Sequence, residues 1–280
     1  MSLLVAGAAP WRRQWWWACF LGAKLRPAKK GCCYSTLGPQ ATVTASRAAL
    51  MQLRAETGIS LALCKAALES ANYDLDMARG VLKGMIHSQA ARVEAKNSQE
   101  GGPESLREGI AAVFDLDANQ RVVFKLLCKS DFVARSPRFA SLASEVFKAH
   151  SSPVATPAAD QDAALQAAIG ALMEPIRLEG LRRIQKAPSQ LFGAYLHQRL
   201  SKSLAPIAAL VVLDPGQCEA RQAQDLADGL AKHVVASSPA TLDELLTQPY
   251  LFSESGEELV ATVQAKWGVR ICDFSRLSIK

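Results

Sequence analysis

Apolar residues recur at helical spacing through residues 46–88, and this pattern predicts three short helices. Gly58 is placed to end the first helix, because glycine readily adopts the left-handed backbone that follows a helix. Ser60 and Asp74 are placed to cap the second and third helices with their side-chain oxygens. So small a bundle is expected to serve mainly for docking. The predicted apolar stripes are Leu50 and Leu53, then Leu61, Cys64, Ala67 and Leu68, then Met77, Val81 and Met85.

The pattern changes after this bundle. Residues 89–104 turn polar and contain Gly-Gly-Pro, which predicts a linker. Two apolar runs, residues 109–117 and 121–128, lie on either side of a short polar segment and predict a β-hairpin. Further strands are expected at 176–185, 192–199, 207–213 and 269–277, and further helices at 137–149, 161–173, 220–237 and 257–267.

Antiparallel strands mixed with helices predict an α+β fold. The three-helix module at 46–88 is expected to precede a core of two small subdomains, each an antiparallel sheet with helices. The segment 150–160 is rich in Pro, Ser and Ala and is expected to separate these subdomains, which would then span residues 105–150 and 161–280.

The positive charge of the chain is unevenly distributed. Its 32 Lys and Arg exceed its 26 Asp and Glu by six, which by itself suggests a nucleic acid or an acidic membrane as partner. Residues 1–40 hold six basic residues and no acid, so the remainder is neutral, which argues against nucleic-acid binding through bulk charge.

An acid-free, basic and apolar amino terminus is typical of an organellar transit peptide, and few Ser and Thr favour the mitochondrial matrix over the plastid. A secretory signal with residues 15–23 as its apolar core is the alternative. That run is far shorter than the ~20 residues of a membrane span, so no membrane association beyond import is expected.

The sequence contains no recognisable catalytic motif. It lacks both G-x-x-x-x-G-K and G-x-G-x-x-G, and its four histidines stand apart from one another. The four cysteines beyond residue 40 are 64, 90 and 54 residues apart, which fits neither a zinc site nor a disulfide framework. We therefore expect no enzyme, no cofactor and no metal.

The segment SDFVAR, residues 130–135, follows a predicted strand and places Asp131 and Phe132 in a loop. In one interpretation Phe132 folds back into the core and Asp131 caps the next turn. In the other, Phe132 is a wedge that enters the pocket of a partner, and Asp131 makes polar contacts beside it. Burial of the Phe132 side chain would then contribute about 1.5–3 kcal/mol to binding.

Three collinear blocks resemble the translation elongation factor Ts family in its mitochondrial form. The first is similar to the L-R-x-x-T-G and C-K-x-A-L pattern of the amino-terminal helices, and the second to C-x-T-D-F-V-A/S-R. The third is similar to G-S-Y-x-H, H-V-A-A-x-x-P and Q-P-F/Y in that order. The blocks here are LRAETGISLALCKAAL at 53–68, CKSDFVARSPRFASLASEVF at 128–147, and FGAYLHQR at 192–199 with KHVVASSP at 232–239 and QPYL at 248–251.

This resemblance implies a guanine-nucleotide exchange factor for elongation factor Tu, one that binds both the GDP-bound and the nucleotide-free forms. It implies no cofactor and no direct contact with nucleic acid. Only eight residues separate Pro239 from Gln248, where bacterial relatives insert a dimerisation arm, so a 1:1 complex is expected. Carried over by position, the partner-binding residues are Asp131 and Phe132 near the Mg²⁺ of Tu, Arg54, Leu61 and Ala62 on the helical module, and Tyr195 and His197 in the core.

One strand departs from the family pattern. Where the family commonly has E-V-N-C-E, this chain has Lys125, Leu126, Leu127, Cys128 and Lys129, so two acids are replaced by bases. Two other functions stay open at this point. Residues 46–88 alone also suit an adaptor of the ubiquitin-associated (UBA-like) type, and a ribosome- or RNA-binding accessory protein is the second alternative.

Overall fold

The computed structural model describes residues 39–151, 157–253 and 256–279, and the described residues from Val43 onward belong to one compact unit. Of the predicted transit peptide, residues 1–38 lie outside the described part of the chain.

Three helices begin the described chain. The first begins at Pro39, seven residues before the predicted start of the module, whereas three of the predicted end signals are confirmed. Gly58 follows the first helix with a φ of +68°, and its N–H donates to the carbonyl of Arg54 at 2.8 Å. The Ser60 and Asp74 side chains accept hydrogen bonds from backbone N–H groups in the first turns of the second and third helices. These caps confirm the predicted starts of the second and third helices. The helices are α1 (Pro39–Thr57), α2 (Leu61–Ser70) and α3 (Leu75–Gln99).

The buried stripe of α3 lies one residue later than predicted. Met77 is 63% exposed, whereas Ala78, Leu82 and Ile86 are buried. Residues 77, 81 and 85 form one apolar row along α3, and residues 78, 82 and 86 form the next. The second row is the buried one, because it begins with a small residue, Ala78, which lets the neighbouring helix approach closely. In α2 the predicted Leu61 is 41% exposed, because it lies in the first turn at the open end of the bundle.

The predicted linker at 89–104 is wrong for most of its length, because α3 continues to Gln99. Most of its polar residues are exposed, while Ala90 is buried and Val93 packs beside it in the core. Helix α6 (Pro157–Leu172) lies against α3 so closely that a Cβ at Gly170 would be 2.2 Å from the carbonyl oxygen of Ile86. Tertiary packing therefore extends a helix that composition alone would end.

Two antiparallel sheets follow the helical module. In the first, the strand order is β3-β2-β1-β5, and the predicted hairpin is confirmed by pairing from Glu108 with Cys128 to Asp115 with Arg121. In the second, the order is β4-β6-β7. The strands are β1 (Glu108–Asp115), β2 (Gln120–Cys128), β3 (Arg177–Gln185), β4 (Leu191–His197), β5 (Leu204–Ala205), β6 (Ile207–Asp214) and β7 (Arg270–Ser278).

The predicted division of the core at residues 150–160 differs from the structure. Strands β3 and β5 lie beyond that division, yet they pair with β2 and β1 in the first sheet. Ile169 of α6 and Leu204 of β5 belong to the same buried cluster as Phe124 of β2. Long-range strand pairing, which local composition does not encode, joins the two halves.

The sheets and helices form four layers. Buried residues from both sheets, among them Val123 and Leu210, meet in one cluster between them. Helix α5 covers the outer face of the first sheet, where Phe147 stacks on Phe114 with ring centres 4.6 Å apart. Helix α7 covers the second sheet, and a Cβ at Gly193 would be 2.1 Å from the Ala227 carbonyl oxygen. The remaining helices are α4 (Asp131–Ala134), α5 (Pro137–Ser151), α7 (Ala220–Ser237), α8 (Leu242–Thr247) and α9 (Val260–Trp267).

Mixed helices and antiparallel sheets confirm the α+β class. Within the described ranges, no helix has the length and the apolar character that crossing a membrane requires.

Candidate functional site

Phe132 projects from the one-turn helix α4 and is 85% exposed. The interpretation in which it folds back into the core is wrong. Ala134 is buried and Val133 half-buried, so these two residues occupy the inward side of the helix. Successive residues of a helix point about 100° apart, so Phe132 points away from that inward side. Ser130, rather than Asp131, is the cap of α4, and its Oγ accepts a hydrogen bond from the N–H of Val133 at 3.3 Å.

A carboxylate that sequence reasoning missed holds this cap. Glu174, 44 residues further along the chain, accepts the Ser130 N–H at 3.1 Å and the Ser130 hydroxyl at 2.6 Å. The only sequence signal was a lone acid after a helix, which by itself does not reveal a contact with a distant loop.

The cysteine of this block also supports the loop. The Cys128 thiol donates to the carbonyl of Ser130, with 3.3 Å between the sulfur and the oxygen. Burial raises the pKa of this thiol to about 12, and the charges of Glu174 and Glu108 act in the same direction. The sulfur therefore stays protonated and acts as a donor, as a buried structural thiol does.

Each of the two lysines that depart from the family pattern has an acid partner within the protein. Lys125 Nζ lies 3.2 Å from Glu179, and Lys129 Nζ lies 3.0 Å from Glu100. The Lys129 hydrogen bond lowers the pKa of the Glu100 carboxyl. Leu127, the third departure, is buried. The charge change near Phe132 is thus compensated inside the chain.

A cleft of about 520 Å³ lies beside α4. Asp131 and Arg135 border it from α4, and Gln198 and Leu200 border it from the turn after β4. Gln198 has a φ of +52°, so this turn reverses the chain sharply, and Leu200 is 50% exposed. The cleft thus connects the SDF segment with the end of β4.

Tyr195 and His197 lie two residues apart on β4, so both side chains point to the same face of the strand. Both are half-buried, and the Tyr195 Oη lies 3.5 Å from the His197 Nδ1. His197 directly precedes Gln198, which borders the cleft. The backbone of β4 therefore leads from this predicted pair toward the cleft, while Tyr195 itself packs against the buried cluster that contains Leu230 of α7.

The third predicted group lies on the helical module. Arg54 of α1 and Leu61 and Ala62 of α2 are all exposed and lie on either side of the turn at Gly58. Met51, one turn before Arg54 in α1, is 55% exposed and adds apolar surface.

The last family blocks have a structural role. His233 is fully buried, its ring lies 5.7 Å from that of Tyr250, and its Nδ1 accepts the Leu251 N–H at 3.4 Å. Burial lowers the pKa of His233. The neutral imidazole therefore joins α7 to the segment after α8.

Within residues 46–151, 162–253 and 256–279, no three His, Cys, Asp or Glu side chains are grouped so that they could hold a metal ion. Phe132 is thus an exposed aromatic ring on a short helix whose cap at Ser130 is held by Glu174.

Comparison with known proteins gives consistent matches. A family model described as Elongation factor TS matches residues 129–267, which include the SDF segment, β4 and α7. Elongation factor Ts of Anaplasma phagocytophilum is 31% identical over 207 residues, covering 69% of this chain and 67% of that protein. Elongation factor Ts of Lactiplantibacillus plantarum is 32% identical over 206 residues, covering 69% and 63%. That of Neorickettsia sennetsu is 24% identical over 229 residues, covering 78% and 75%. The chain belongs to the elongation factor Ts family.

Proposed function

We propose that this chain is a guanine-nucleotide exchange factor for elongation factor Tu. It binds Tu·GDP, promotes release of GDP and holds the nucleotide-free form until GTP enters. The observation that carries this proposal is Phe132, a large apolar side chain that is 85% exposed on an anchored helix. So exposed an aromatic ring on a rigid support is typical of a binding hot spot.

The mechanism requires no chemical step. A wedge that fits only a distorted nucleotide pocket stabilises the empty state of Tu and weakens its hold on GDP. Linkage then requires GDP to weaken binding of the exchange factor by the same factor. The complex of all three components releases its nucleotide quickly. In this proposal Phe132 is the wedge, and Asp131 makes polar contacts beside it near the Mg²⁺ of Tu.

Two further contacts complete the proposed docking surface. Arg54, Leu61 and Ala62 would bring the helical module, which we propose to be UBA-like, against the nucleotide-binding domain. Tyr195 and His197 would approach another domain of Tu. Contacts from three different parts of the chain would fix the orientation of Tu on this chain, so that a single apolar side chain can act as the wedge.

The proposal extends to stoichiometry and location. Between Pro239 and Gln248 the chain has only the six-residue helix α8, which supports a 1:1 complex with Tu. The basic, acid-free residues 1–40 support import into the mitochondrial matrix.

The test is release of labelled GDP from Tu·GDP on addition of the purified full-length chain. We expect faster release in proportion to the concentration of added chain, up to saturation. Release no faster than in buffer would refute the exchange function.

Exposed apolar side chains on the helical module support a second candidate, an adaptor that binds ubiquitin-like proteins. Met51, Leu61, Tyr73 and Met77 are each at least 41% exposed. Titration of the chain with ubiquitin separates the candidates, since an exchange factor should bind Tu·GDP and leave ubiquitin free.

A further inference from the structure

Ser130, the residue that caps α4, has all its polar groups engaged. Its N–H and its hydroxyl both donate to the carboxylate of Glu174, at 3.1 and 2.6 Å. The hydroxyl oxygen accepts from Val133 at 3.3 Å. Its carbonyl accepts from the Cys128 thiol at 3.3 Å and from the Ala134 N–H at 3.2 Å. Glu174 is the one charged group in this network, and hydrogen bonds to a carboxylate are stronger than neutral ones.

The direction of Phe132 depends on this network. Helix α4 has four residues, far fewer than a helix needs to be stable without tertiary support. Because Phe132 is mostly exposed, few contacts of its own hold its ring in place. The orientation of the ring is therefore set by the anchored cap at Ser130 and by the inward packing of Val133 and Ala134.

Glu174 is itself held by a well-packed helix. It follows α6, where Met173 adopts a left-handed backbone with a φ of +60° and its N–H donates to Ile169 at 2.8 Å. This turn ends the helix and directs the chain toward Ser130. Through the close approach of Gly170 to Ile86, α6 is packed on α3. The anchor of the SDF segment thus belongs to the helical part of the core.

We propose that Glu174 is a positioning residue for nucleotide exchange. It acts through Ser130 and pre-orients Phe132 for entry into the partner, so that less conformational entropy is lost on binding. This inference rests on the exchange function proposed above. It predicts that loss of Glu174 slows exchange although Glu174 itself need not touch Tu.

The experiment measures the second-order rate constant of GDP release from Tu·GDP with the full-length chain and its variants. We expect Glu174→Ala to lower it about tenfold, which corresponds to about 1.4 kcal/mol. Glu174→Gln should lose less, because an amide oxygen can still accept the Ser130 N–H. The matched control is Glu179→Gln, since Glu179 pairs with Lys125 and Arg177 and should leave the rate unchanged.

A double variant tests the route of the effect. In a Phe132→Ala background, Glu174→Ala should cause no further loss, because the group that it orients is gone. An equal tenfold loss in both backgrounds would contradict positioning through Phe132. A wild-type rate for Glu174→Ala would also overturn the inference.

A measurement without Tu separates this inference from the exchange function. Amide hydrogen exchange at Val133 and Ala134 should become about tenfold faster in Glu174→Ala, with Tm lowered by only a few degrees. If the wild-type chain does not accelerate GDP release from Tu, the exchange function is refuted. Unchanged protection of the Val133 and Ala134 amides in Glu174→Ala would refute the anchoring, whatever the result of the exchange assay. If Glu174→Ala does not fold, Glu174→Gln takes its place in each comparison.

Discussion

Two aromatic residues that belong to family blocks have opposite surroundings. Phe132 is 85% exposed on α4, whereas Tyr250 is 6% exposed and packs against the buried His233. Burial raises the pKa of the Tyr250 hydroxyl and lowers that of the His233 imidazole, so both stay neutral. One block therefore exposes its ring to solvent and the other buries its ring in the core. A residue type that recurs in a family pattern does not reveal which of these roles it has.

The largest effect that would test this contrast is a loss of stability at Tyr250. We expect Tyr250→Ala to lower the free energy of unfolding by about 3–5 kcal/mol, because a large buried side chain leaves a cavity. A Cβ added at Gly229 of α7 would lie only 2.3 Å from the Tyr250 hydroxyl oxygen, which shows how tightly Tyr250 packs against α7. Urea denaturation measures the loss. A change below 1 kcal/mol would mean that Tyr250 does not close the core.

The second prediction concerns the rate of nucleotide exchange. Phe132→Ala should slow GDP release by about thirtyfold, equivalent to about 2 kcal/mol of lost apolar burial in the complex. Its free energy of unfolding should change by less than about 0.5 kcal/mol, since the ring is exposed. The matched control is Phe252→Ala, because Phe252 is 55% exposed but lies beside Tyr250. If Phe252→Ala also slowed GDP release, exposure of an aromatic ring would not by itself identify the wedge.

These two rings also show what could be predicted from the sequence. The hairpin of β1 and β2, and helix α7 with its bounds Ala220–Ser237, were predicted because their signals are local: apolar runs, polar turns and helical spacing. The exposure of Phe132 could not be predicted, because the cap of its helix at Ser130 is held by Glu174, 44 residues further along the chain. For the same reason the pairing of β3 with β2 and the continuation of α3 past residue 89 were missed. Each of these features depends on a contact that forms only in the folded chain.

A pH dependence of stability tests the buried side of the comparison. Because burial lowers the pKa of His233 in the folded state, the unfolded chain binds a proton there at higher pH. The contribution of His233 to stability is therefore fully present above its ordinary pKa of 6.5 and decreases as pH falls from 6.5 toward the lowered pKa. Urea denaturation from pH 8 to pH 5 measures this slope, and His233→Gln should flatten it. An equal slope in both proteins would assign the dependence to other groups.

The smallest expected effect concerns the anchor of α4. Met173 has a φ of +60° and is 55% exposed, so its side chain contributes little burial while its backbone occupies a region that favours glycine. Met173→Gly should raise the free energy of unfolding by about 0.5 kcal/mol, because relief of backbone strain exceeds the added entropy of the unfolded chain. The backbone path to Glu174 stays the same, so exchange should remain at the wild-type rate. Slower exchange without a loss of stability would show that Met173, exposed near the SDF segment, extends the partner-binding surface beyond Phe132.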